Sequence, residues 1–343
     1  MKNNFLNLRL LILIILINSI FFKVYSFEQF NFNVSEIEIL EEGNVIKGLK
    51  RGVVSSNNGI SIEADTFRYD KLLNILNANG NVKVIDKVNA YEIYSDSIIY
   101  NRNKEQIIAR KNSKGIYKND IIIESKNLQY DKLSNILNAD GNVKIIDKAN
   151  NYKIYSDSIT YNKNIEEIKT SGLSNFLIET RYEINSKNVI FSRKDKIFES
   201  TYKTTVKDTN SNLFILDEIN YQIVNEILKG KNIIIITNHN KPKSDKYFFS
   251  SAIIDLKKNK IIAKDPEITL HKNIFDNNEN DPRLIGVSSL KDGYITTIDK
   301  GIFTSCKKRD NCPPWSIKAE KITHNKKKKQ LLYKNAILQV YDF

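Results

Sequence analysis

This chain predicts an all-β fold, an open stack of antiparallel strands, and three observations lead there. A short phrase recurs, starting at Ala64, Ser95, Ser125, Ser156, Ser186, Leu216, Ser251 and Ala319. Early copies read Ala64-Asp65-Thr66-Phe67-Arg68-Tyr69, Ser95-Asp96-Ser97-Ile98-Ile99-Tyr100, Ser125-Lys126-Asn127-Leu128-Gln129-Tyr130 and Ser156-Asp157-Ser158-Ile159-Thr160-Tyr161. Their spacing of about 30 residues falls in the range of stacked supersecondary units. Apolar residues alternate ahead of each copy, and beyond the N-terminal segment no stretch sustains a helical period.

The elements follow in order from that pattern. Ile60 and Ile62 precede Ala64, Tyr91 and Ile93 precede Ser95, and Tyr152 and Ile154 precede Ser156. Alternation at period two puts those side chains on one face of a strand. After the small residue the apolar positions shift by one, to Phe67 and Tyr69 or Ile98 and Tyr100, which marks a bulge or bend onto a second face. A polar break such as Asp70-Lys71 or Asn101-Arg102-Asn103 comes next, then a second strand through Ile75-Leu76 or Ile107-Ile108. Asn79-Gly80-Asn81 and Asp140-Gly141-Asn142 read as tight reversals, with Gly supplying positive φ. The segments Asp70–Lys87 and Asp131–Lys148 are nearly identical, so the units are interchangeable in geometry. The stretch 276–283 reads as a polar loop ahead of a Cys-bearing terminal segment, 301–343.

Composition supports a β-rich core, with 17 Tyr and 16 Phe against one Trp and one Met. The net charge of +13 would suit an anionic partner. Its Lys residues, however, are spread evenly among Asn and Ile, with no basic stripe interleaved with exposed aromatics, so no nucleic-acid module is predicted. The runs Lys307-Lys308-Arg309 and Lys326–Lys329 read as solvated loops.

At the N-terminus, Lys2 and Arg9 precede an apolar run from Leu10 to Phe22, followed by Val24-Tyr25-Ser26. This reads as a secretory signal peptide over residues 1–26 with a mature chain 27–343; an uncleaved anchor is the alternative. In an oxidising compartment Cys306 and Cys312 are disulfide candidates, though not necessarily with each other. His239, His271 and His324 lack metal-ligand spacing, so neither a metal nor another cofactor is expected.

The phrases Ala64-Asp65, Phe67, Tyr69-Asp70 and Ala78-Asn79-Gly80-Asn81-Val82, repeated as Leu128, Tyr130-Asp131 and Ala139-Asp140-Gly141-Asn142-Val143, resemble the LptD (OstA-like) family of lipopolysaccharide assembly proteins. The end of the chain is similar to the end of that family's periplasmic region: Gly301-Ile302-Phe303-Thr304-Ser305-Cys306, Pro313-Pro314-Trp315-Ser316-Ile317-Lys318-Ala319, then Tyr333 to Tyr341. The resemblance implies an OstA-like β-jellyroll in the periplasm at the outer membrane, with an apolar groove for the acyl chains of lipid A. Groove candidates are Ile62, Phe67, Tyr69, Ile93, Ile98, Tyr100, Ile123, Leu128, Tyr130, Ile154, Ile159 and Tyr161. By itself such an apolar stripe predicts a filled core.

The family also implies partners: lipopolysaccharide, the bridge protein LptA pairing with an edge strand around Phe32 to Leu40 through Ile37 and Ile39, and the lipoprotein LptE with a transmembrane barrel. Disulfides between the periplasmic region and the barrel are implied too, and Cys306 matches that position better than Cys312. The sequence stops at Phe343 before any barrel, which leads us to expect a truncated product or fragment rather than a stand-alone member.

The function expected is therefore a non-enzymatic lipid conduit. A structural or adhesive surface β-solenoid is the alternative; it keeps the repeats but gives no reason for the Pro-Pro-Trp segment. An enzyme acting along the stack is disfavoured. Asp65, Asp96 and Asp157 recur once per unit, which suits a turn or outer-face role better than a catalytic pair.

Overall fold

The computed structural model describes residues 30–118, 120–275, 279–308 and 314–340. Their strands form a single 28-stranded sheet in which every pairing is antiparallel. The regular middle consists of strands of eleven or twelve residues, such as Ile75–Asp86, Tyr91–Asn101, Gln106–Tyr117 and Ile121–Asp131. Two short 3-10 segments, Glu41–Gly43 and Lys272–Phe275, interrupt the strands. The signal-peptide reading and Cys312 lie outside the described residues, as do residues 276–278 of the expected polar loop. That loop is shorter than read, because Arg283–Ile285 is already a strand.

Each long strand bends in the middle. Against Tyr91–Asn101, the register of Ile75–Asp86 slips between Asn79 and Val82; against Tyr152–Asn162, that of Ile136–Asp147 slips between Asp140 and Val143. The bend expected after the small residue is there, but the extra residue belongs to the neighbouring strand. Asn79-Gly80-Asn81 and Asp140-Gly141-Asn142 are therefore bulges inside strands and not reversals. Gly80 and Asn81 both take positive φ, and a Cβ on Gly80 would lie 2.4 Å from Asp65 Oδ2. The reversals fall instead at four-residue turns such as Lys71–Asn74, Arg102–Glu105 and Lys132–Asn135, whose last residues Asn74, Glu105 and Asn135 adopt positive φ. Asn tolerates that conformation and shares the job Gly was expected to do.

The recurring phrase is the chemistry of this corner. Its Ser points inward and ties down bulge carbonyls: Ser95 Oγ donates to Arg110 O at 2.8 Å and lies 2.9 Å from Lys111 O. Its Asp points outward and accepts from the bulge Asn, at 2.7 Å for Asp65 with Asn81 and 3.0 Å for Asp96 with Asn112. Asp217 with Asn232 (2.8 Å) and Glu320 with Asn335 (2.6 Å) repeat the link. In the third copy the partners swap, Asn127 donating to Asp140 at 2.9 Å. Asp157 accepts instead from the Leu173 main chain at 3.2 Å. The outer-face role expected for these carboxylates is what the geometry shows.

Bending folds the two halves of every strand into facing walls. Edge-to-face pairs cross between them: Tyr91 on Tyr130 at 4.7 Å, Tyr152 on Phe191 at 5.6 Å and Phe176 on Phe198 at 4.9 Å between ring centroids. One hydrophobic cluster runs from Phe30 to Ile322 without interruption. The corners close one side of this interior, and the turn tips face each other across the other side, the mouth.

Candidate functional site

The interior and its mouth hold the residues that the sequence singles out as groove candidates. Every groove candidate lies in this interior: Ile62, Phe67, Ile93, Ile98, Tyr100, Ile123, Leu128, Tyr130, Ile154, Ile159 and Tyr161 are buried, and Tyr69, the most exposed, reaches 6%. Sequence placed them on one inner surface, and the structure brings them together from both walls. They pack against each other, so the interior is filled over most of its length. An amphiphile could occupy it only by parting the walls.

A polar seam closes the mouth. Asn58 on one wall donates to Tyr100 Oη at 3.2 Å and to Glu105 at 3.3 Å on the other. Lys132 lies 3.3 Å from Asp86 and 3.0 Å from Glu105. Arg193 forms a forked contact with Asp147, Nε at 2.8 Å and the second nitrogen at 2.7 Å, and reaches Tyr161 Oη at 3.3 Å. Arg181 donates to Glu226 at 2.8 Å. Lys326 donates to Asp245 at 2.5 Å. Burial opposes the charge of Asp86, yet bonds from Asn89 and the nearby Lys132 outweigh it and hold the carboxyl below its ordinary range.

Lys163 completes the seam differently. Its Nζ lies 4.3, 4.9 and 5.7 Å from the ring centroids of Tyr117, Tyr130 and Tyr91, and donates to Tyr130 Oη at 3.0 Å. Burial pushes the Lys163 ammonium down and the Tyr130 phenol up to about 12. Beneath it is a small void of about 30 Å³ above Gly115, which occupies an inward position between Ile93 and Ile123. The Tyr91 hydroxyl is buried there, and burial together with the nearby Asp86 carboxylate pushes its pKa up.

A larger cavity of about 290 Å³ opens farther along, between Asp208–Asn212 on one wall and Asp255–Asn259 on the other. Its floor is apolar, with Phe214, Ile235, Tyr247, Ile254 and Ile261. Lys291 stands at its rim.

Sequence reasoning missed the seam. The run Lys326–Lys329 does form the expected turn, but Lys326 is no solvated charge: its partner Asp245 is 81 residues earlier and fully buried. His271 Nδ1 meets the same carboxylate at 2.7 Å, and buried His324 is close enough to feel its charge. No sequence signal links residues so far apart. Among the described residues no group of three or more His, Cys, Asp or Glu side chains is arranged to hold a metal.

The segment expected to be one edge strand is two, Asn31–Val34 and Ile37–Leu40, each paired among the described residues on one side only, with Gly52–Ser55 and Val45–Gly48. Ile37 and Ile39 are 48% and 65% exposed on that edge. At the opposite end, among the described residues, Gln330–Val340 pairs with Trp315–Asn325 alone. Cys306 is half-buried, its main-chain carbonyl accepting from Arg283 at 2.7 Å.

Fold and site together define a long antiparallel β protein with an apolar interior between two walls and a charged seam along its mouth. No protein-family model matches this chain, and no curated protein matches it.

Proposed function

We propose that the protein is a non-enzymatic conduit for an amphiphile, its hydrocarbon chains carried between the two walls. The observation that supports this most is the unbroken apolar interior from Phe30 to Ile322. Burying hydrocarbon yields roughly 25 cal/mol per Å² without directional preference, so similar rungs offer a moving chain similar environments. By the LptD (OstA-like) resemblance the architecture is a β-jellyroll with repeats of about 30 residues. On the same resemblance the amphiphile is lipopolysaccharide, delivered in the periplasm to the outer membrane. LptA would add a strand beside Ile37 and Ile39, and LptE and a barrel would receive the lipid.

One observation favours a second reading, a structural or adhesive β-solenoid: every groove candidate is buried. A single experiment decides between them. Photocrosslinkers at Phe67, Ile98 and Leu128 are activated in membranes containing lipopolysaccharide, with exposed Leu72 and Tyr294 as controls. Lipid adducts at the inward positions and not at the controls support the conduit. Adducts at none of the inward positions overturn it in favour of the solenoid.

A further inference from the structure

Four cations of the seam have carboxylate partners across the mouth or within reach of it: Lys132, Arg193, Arg181 and Lys326. Lys291 differs. It is half-buried, donates to the side-chain oxygen of Asn259, and among the described residues forms no ion pair. Burial, with the like charge of Lys326, pushes its ammonium down. Lys291 is a rim cation in no ion pair among the described residues, offset at a distance by Asp292, and its ammonium is placed to donate to a bound anion.

The place is also where the seam is interrupted. Among the described residues no ion pair spans the mouth between the Arg181–Glu226 bridge and the Lys326–Asp245 bridge. The cavity of about 290 Å³ occupies that gap, near the lower limit of small-molecule sites, and it is stratified. Phe214, Ile235 and Tyr247 from one wall and Ile254 and Ile261 from the other line its depth, while Asn212, Thr237 and Lys291 stand above. Asp208 and Asp255 share this rim, but their oxygens are engaged locally. Asp208 accepts from the Asn212 main chain at 2.8 Å and side chain at 2.7 Å, and Asp255 from the Lys258 main chain at 2.8 Å. An apolar floor under a rim cation that forms no ion pair among the described residues matches an amphiphile with one chain and one anionic head.

We propose that this cavity binds a single hydrocarbon chain of an anionic amphiphile, with Lys291 as counter-ion to its phosphate or carboxylate head. The site rests on the conduit reading for its ligand class, and gives that conduit a defined window where a chain can pass the mouth without a bridge being broken.

The test is calorimetric titration of the full chain with decyl phosphate, decanoate and uncharged decyl maltoside, each below its micellar concentration. Saturable binding of the anions is expected, weakened about tenfold by Lys291→Met and restored by Lys291→Arg, with the maltoside indifferent to both changes. Dependence on Lys291 for decyl phosphate alone assigns a phosphate head; equal dependence for decanoate assigns any compact anion. Affinity unchanged in Lys291→Met, or no binding of either anion by the unaltered chain, overturns the site. Interior crosslinks at Phe67, Ile98 and Leu128 report separately. Lipid adducts there without Lys291 dependence leave the conduit standing and remove this site, and the reverse pattern removes the conduit alone.

Discussion

Replacing Lys132 by Met tests whether the seam holds the mouth shut. Lys132 and Asp86 are 10% and 0% exposed in their side chains, so solvent does little to screen them. Removing one partner of a buried pair costs about 3–5 kcal/mol, most of it from the charge left behind. Asp86 is not left bare, since the Asn89 main chain and side chain each still donate to it at 2.9 Å. Glu105, the other partner, keeps its contacts with Tyr100 and Asn58. These retained bonds lower the expected cost of Lys132→Met to about 2–3 kcal/mol. Adding Asp86→Asn removes the stranded charge and should recover about 1–2 kcal/mol of that loss.

The assay is urea unfolding of the single and double variants followed by far-UV circular dichroism. Stacked units need not unfold together, so amide exchange at the turns Lys87–Ala90 and Arg102–Glu105 localises the effect. Uptake of the neutral dye Nile red should quicken in Lys132→Met as the mouth opens. A coupling below about 0.5 kcal/mol, the level of independent sites, refutes the idea that this ion pair joins the walls.

Three further outcomes follow from the same geometry. Asn81→Ala removes both the hydrogen bond to Asp65 and a residue suited to positive φ, and should destabilise by about 1–2 kcal/mol in urea melts, more than the same change at Asn77. Gly115→Val fills the void beneath Lys163; with a Cβ 3.0 Å from Leu128 Cδ1 the overpacking should cost about 1–3 kcal/mol by the same melts and displace Lys163 from the Tyr117 ring. Burial holds His324 below its ordinary pKa, so the unfolded chain takes up that proton first. Stability should then be complete above about pH 6.5 and fall as pH drops through the folded-state value. Asp245, held low by Lys326 and His271 against the effect of burial, adds a second loss at more acidic pH. In urea midpoints measured across pH, His324→Leu should abolish the first loss and keep the second.

The strands, the inward residues and the corner were legible because each is written locally. Period two, a small residue and a one-residue phase shift are enough to set a bent strand, and they put Ile93 and Tyr100 inside without knowledge of any partner. The corner Asp was readable as an outer-face residue for the same reason. What failed was the assignment of two kinds of sharp backbone, since Asn-Gly serves a bulge as well as a turn. Gly80-Asn81 sits opposite an Asp side chain in mid-strand, while the true reversals use Asn74, Glu105 and Asn135. The seam was illegible because its bonds across the mouth join residues of opposite walls far apart in sequence. Arg193 finds Asp147 46 residues away, and nothing near either residue announces the other.

Arg102, Lys132, Lys163 and Arg193 occupy equivalent places at successive turn tips, but their partners differ: the Phe30 ring, Asp86, a tyrosine cluster and Asp147. The seam is thus a row of fastenings of different kinds. That matters for any conduit, because parting all of them at once would cost far more than a lipid could return. Deleting one costs about 2–3 kcal/mol on the estimate for Lys132→Met. A chain of about ten methylenes leaving water yields up to about 8 kcal/mol, less whatever wall contacts it displaces. Passage rung by rung therefore lies within reach of hydrocarbon burial, and the interval beneath Lys291, where no bridge has to open, is where it would begin at least cost.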